Sequence, residues 1–162
     1  MAELTSIVAT TAMPRKRYNH DCVDTGADLT LLDGVGILYP CNCSARDYKV
    51  GGKNIWISAD SVLKDAVDDG SIWAEFNCTV NGNINTEIQF VFTIPNTILG
   101  DIPVKTIISR VLRNNVDDPI QFTTLLYNAT DSDAKTYGFK VGIKAVGGNV
   151  TLKARSVLAI TG

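Results

Sequence analysis

The chain has 162 residues, of which 45% are hydrophobic and 20% charged, enough for one folded domain with a sizeable core and too apolar for a disordered chain. Its net charge of −2 lacks the basic excess of a nucleic-acid-binding module, so no nucleic-acid partner is expected. No run approaches the roughly eighteen consecutive apolar residues of a membrane-spanning helix, and MAELTSIVATTAMPRKRY sets its apolar patch ahead of its charges, the reverse of a signal peptide.

Residues 1–20 follow neither a helical nor a strand period and read as an extended arm, ahead of a single β-rich domain over 21–162. Residues 22–32, CVDTGADLTLL, pass through Asp24-Thr25-Gly26-Ala27, good turn chemistry leading into a strand over 28–33. Residues 59–69 carry Val62, Leu63, Ala66 and Val67 at helical spacing before Gly70. SIWAEFNCTV (71–80) alternates as a strand, and Asn81-Gly82 predicts a tight hairpin into a second strand over 84–94. Pro103 followed by Val104, Ile107, Ile108, Val111 and Leu112 predicts a helix over 103–113. Residues 120–127 form another strand. Phe139, Val141, Ile143 and Ala145 then alternate through 137–146, Gly147-Gly148-Asn149 turns, and 150–160 return as the partner of a terminal hairpin. The fold class is therefore mainly β, an antiparallel sandwich or jelly roll with one or two short helices and an extended N-terminal arm.

The four cysteines are Cys22, Cys41, Cys43 and Cys78. A chain this long can build its core without disulfides, and Cys41-Asn42-Cys43 with His20 as the single histidine does not match zinc-ligand spacing. Buried or half-buried thiols, no metal and no cofactor are expected. Asn-X-Ser/Thr sequons at Asn42, Asn77, Asn128 and Asn149 read as composition in a chain rich in Asn and Thr.

Asp24-Thr25-Gly26-Ala27 resembles the catalytic loop of retropepsin-type aspartic proteases. The resemblance extends to Gly51-Gly52 as a flap and to Ile98-Leu99-Gly100-Asp101 as the closing element before a helix. It implies a homodimer in which Asp24 is one of two catalytic carboxylates. Two features point elsewhere: the approach Arg17-Tyr18-Asn19-His20-Asp21 is polar, and the strands beyond residue 115 have no place in that fold.

The favoured reading starts from those strands. A compact β body, an extended N-terminal arm, a near-neutral net charge and no cluster of catalytic residue types resemble the decoration, or cement, proteins of phage capsids and the knobs of phage fibres. The resemblance implies a non-enzymatic virion protein, assembled in the host cytoplasm, that forms a homotrimer through its β body. The arm would grip the major capsid protein or another virion protein, with Arg15, Lys16, Arg17 and Tyr18 as shell-docking candidates. A third reading is a carbohydrate-binding β-sandwich module of a fibre, its platform formed by Tyr39, Tyr48, Trp56 and Trp73.

Overall fold

The computed structural model of the chain describes residues 17–64, 70–96, 98–127 and 132–161. Its strands are β1 (Tyr18–Asp24), β2 (Leu29–Leu31), β3 (Gly36–Leu38), β4 (Arg46–Val50), β5 (Trp56–Ile57), β6 (Val62–Leu63), β7 (Ser71–Gly82), β8 (Glu87–Ile94), β9 (Ile102–Arg110), β10 (Asp118–Tyr127), β11 (Phe139–Val146) and β12 (Val150–Thr161). One helix, α1 (Ser132–Tyr137), precedes β11.

The strands form two antiparallel sheets packed as a sandwich. The first runs β10-β7-β12-β1-β4, with β2 continuing along β12 beyond β1. The second runs β5-β6-β11-β8-β9, with β3 beside β11 beyond β6. A period of two drives this packing. Ile72, Ala74, Phe76, Cys78 and Val80 of β7 are buried, as are Ile88, Phe90, Phe92 and Ile94 of β8. Phe139, Val141, Ile143 and Ala145 of β11 complete the inner layer. Phe76 lies at the centre, stacked on Phe122 at 5.1 Å and edge-on to Tyr39, Trp56 and Phe92.

The alternating segments are strands as expected, but the two hairpins are not hairpins. β7 and β8 lie in different sheets, and so do β11 and β12. β7 runs on through Asn81-Gly82, where Gly82 pairs with Val150, and the chain reverses later, at Asn85, whose φ is 67°. Gly147-Gly148-Asn149 likewise carries the chain from one sheet to the other. Strands buried on one face can be satisfied by a partner beside them or by a layer opposite, and here the second arrangement wins.

The segment 103–113 is not a helix: it forms β9, paired with β8 from Glu87↔Arg110 to Ile94↔Ile102. Its β-branched residues (Val104, Thr106, Ile107, Ile108) favour a strand. Pro103 is tolerated because β9 is an edge strand whose register shifts beside it. In the other expected helix, Val62 and Leu63 form β6, paired with β5, while residues 65–69 lie outside the described residues.

α1 has a sequence signal that the periodicity obscures. Asp133 and Lys135 suit its first and last turns, and Gly138, at φ 78°, closes it by donating its N–H to the Ala134 carbonyl at 2.9 Å. The boundary of the expected arm also moves. Residues 1–16 lie outside the described residues, but Tyr18, Asn19 and His20 belong to β1, paired with Thr161, Ile160 and Ala159.

Candidate functional site

Asp24 ends β1, directly opposite Arg155 of β12. The loop 25–28 after it separates β1 from β2, two strands that share one side of β12. Across β12, its pairing with β7 slips between Leu152 and Arg155. That irregularity turns Arg155 into the interior, where both side chains are almost wholly buried and Nη2 meets Asp24 Oδ2 at 2.9 Å. Arg155 Nη1 donates to the carbonyls of Lys153 and Ala27, which ties the loop down.

The Asp24 carboxylate accepts three further bonds. Gly26 N–H reaches Oδ1 at 2.7 Å, Ser44 Oγ–H reaches Oδ1 at 2.8 Å and Asn42 N–H reaches Oδ2 at 3.2 Å. Burial by itself raises the Asp24 pKa, but Arg155, Gly26, Ser44 and Asn42 together outweigh it and hold the carboxyl at about 2. In a protease dyad two carboxyls face each other and share a proton, whereas both oxygens of this one are taken up within the chain by Arg155, Gly26, Ser44 and Asn42. The flap and closing element of that resemblance are placed differently too. Gly51 (φ 85°) packs against the Tyr18 ring, and Ile98-Leu99-Gly100 is an exposed loop before β9 rather than a helix lead-in.

Asp24 also anchors the 41–44 loop, through Asn42 and Ser44, and so gathers sulfur. Cys22 and Cys43 form a disulfide rather than buried or half-buried thiols, while Cys41 and Cys78 are buried and free. The Cys41 sulfur lies 3.3 Å from that of Cys22. Burial pushes Cys41 up to about 11 and Cys78 up to about 12.

Beside the disulfide, His20 closes one flank of the sandwich. Its Nδ1 accepts the N–H groups of Ile55 and Trp56 at 3.2 and 3.0 Å, which puts the ring proton on Nε2, donating to Asp47 Oδ1 at 2.7 Å. Burial, the largest influence, lowers the His20 pKa and outweighs the attraction of Asp47. His20, Cys43 and Asp47 have potential ligand atoms within 4.8 Å of one another. They do not fit a metal: Cys43 sulfur is in the disulfide, and a cation on Nε2 would move the ring proton to Nδ1, against two N–H donors.

The opposite flank is open. There β9 and β10 are the edge strands of their sheets, bridged by Lys105 Nζ on Thr124 Oγ1 at 2.9 Å. Ile98 and Leu99 are 89% and 78% exposed, and Ile102, Val104, Ile108, Leu112 and Tyr127 are exposed as well. Sequence reading missed this surface because Val104, Ile108 and Leu112, at helical spacing with Ile107 and Val111, looked like one apolar helix face.

Of the docking candidates, Arg15 and Lys16 lie outside the described residues, Arg17 is exposed and Tyr18 is half-buried in β1. The carbohydrate platform is not assembled. Tyr39 and Trp56 are core residues, Tyr39 donating to the Asn77 carbonyl and Trp56 Nε1 to the Cys41 carbonyl, while Tyr48 stands exposed on β4.

No protein-family model matches the chain, and no curated protein matches its sequence. Solved structures share the fold. The Eiger TNF from S. frugiperda superposes with a TM-score of 0.50 at 9% identity, over 89% of this chain and 90% of that one. PRD1 vertex protein P5 does so with a TM-score of 0.50 at 10% identity, over 88% of this chain and 71% of that one.

Proposed function

We propose that this chain is a non-enzymatic structural protein of a virion, a capsid-decorating or cementing element that self-associates, as a homotrimer, through its β body and docks through its N-terminal residues. The observation that carries the proposal is the open β9 flank. A side chain of the size of Ile or Leu gains about 1.5–3 kcal/mol on full burial, so several along one edge provide a strong drive to association. Pro103, the register shift next to it and Lys105 blunt β9 against addition of another strand. Association would therefore pack side chains rather than extend the sheet. The fold shared with a vertex protein supports the viral context, and the ionised Asp24 paired with Arg155 supports the absence of peptidase chemistry.

Light scattering on the purified protein at tens of micromolar tests the reading. The wild type is expected as a trimer whose melting temperature rises with concentration, and Ile108→Asp as a folded monomer with an unchanged circular dichroism spectrum and a lower, concentration-independent melting temperature. A monomeric wild type would remove the assembly proposal. Pepstatin-sensitive cleavage by the wild type, absent in Asp24→Asn, would replace it with the protease.

A further inference from the structure

Three of the four cysteines converge on one point, and only two of them are bonded. Cys22 is central: its sulfur is joined to Cys43 and lies 3.3 Å from the sulfur of Cys41. Cys41 and Cys43 sit two residues apart on a loop held from one side by Asp24, so changing partners requires only local movement. The two differ in surroundings. Cys41 is buried beneath Trp56, which donates to its carbonyl. Cys43 is half-buried and, with His20, Asp47 and Lys49, lines an open depression of 330 Å³.

We propose that Cys22, Cys41 and Cys43 form an internal thiol–disulfide exchange site whose turnover presents Cys43 as a modifiable thiol in this depression, open to soft electrophiles and to small or protein thiols. In the step, Cys41 loses its proton to solvent and its thiolate attacks Cys22 Sγ. The Cys22–Cys41 bond forms as the Cys22–Cys43 bond breaks, and Cys43 leaves as a thiolate that takes up a proton. One disulfide and one thiol stand on each side of the reaction, so no oxidant or reductant is consumed. Burial makes a thiolate scarce at Cys41, which keeps exchange slow at neutral pH, and exchange accelerates as pH rises toward 11. Cys78, buried and free on β7, serves as a reference thiol.

Alkylation of the native protein with iodoacetamide at neutral and at mildly alkaline pH, followed by a non-reducing peptide map, tests this. The expected product carries the adduct on Cys43 together with a Cys22–Cys41 disulfide, and Cys41→Ser lowers Cys43 labelling at least about tenfold. Equal labelling of Cys43 in Cys41→Ser, an adduct on Cys41 with the Cys22–Cys43 bond intact, or no adduct on either would overturn the proposal. Cys43→Ser, refolded with oxidised glutathione as the oxidant, provides an independent arm: a Cys22–Cys41 disulfide is expected there, and two free thiols at these positions would overturn the proposal equally.

Discussion

At the residue scale, Asp24 and Arg155 show what a four-letter motif conceals. The local part of the motif was legible: Asp24 accepts the N–H of Gly26, two residues on, as turn chemistry requires. The cation that makes Asp24 a structural group lies 131 positions away and has no local signature. Because the folded carboxyl sits at about 2, below its ordinary 3.8, the unfolded chain binds more protons as the solution is acidified. This contribution, about 2 kcal/mol, is therefore complete above about pH 4 and is lost as pH falls toward 2, which acid unfolding monitored by circular dichroism will show. Asp24→Asn turns an amide NH2 toward a cluster of donors and leaves Arg155 buried without a counter-charge. Denaturant titration at neutral pH is expected to find a loss of about 3–5 kcal/mol, and a flatter acid limb.

Elements differ in how far local pattern determines them. The strict alternation of β7, β8, β11 and β12 marked them as strands with one buried face, and they are. β9 was ambiguous because its apolar residues satisfy a helical period as well as an exposed strand, and only pairing with β8 resolves it. The end of α1 is decided by Gly138 in a way that can be measured. A Cβ there would stand 2.4 Å from the Leu63 carbonyl oxygen, whereas at Gly147, also at positive φ, it would meet nothing within 4 Å. Gly147→Ala carries backbone strain of about 1 kcal/mol, and Gly138→Ala should cost distinctly more, about 2 kcal/mol or above, because β6 must also move. Chemical denaturation of the two variants checks the order, and equal costs would mean that β6 yields freely.

For the whole molecule, the boundary between arm and body decides what a truncation means. Deleting 1–16 keeps all of β1, its pairing with β12 and the His20 bonds to Ile55 and Trp56, and the melting temperature is expected to stay within a few degrees. Deleting 1–20 also removes Tyr18 from beneath Gly51 and His20 from the Ile55 and Trp56 amides, with three rungs of pairing to β12. That loss, several kcal/mol, should lower the melting temperature by about 10 °C or more in differential scanning calorimetry. The shorter deletion is therefore the one that separates folding from docking.

The amino-acid sequence by itself determined the β class, the burying faces of β7 and β11 and the turn at Asp24, because period and turn chemistry act over a few residues. The tertiary structure decided which sheet each strand joins, which cysteines bond, what neutralises Asp24 and which flank stays apolar and open. Those outcomes depend on side chains far apart in the chain, and a period of two tells a strand which face to bury but not which neighbour to bury it against.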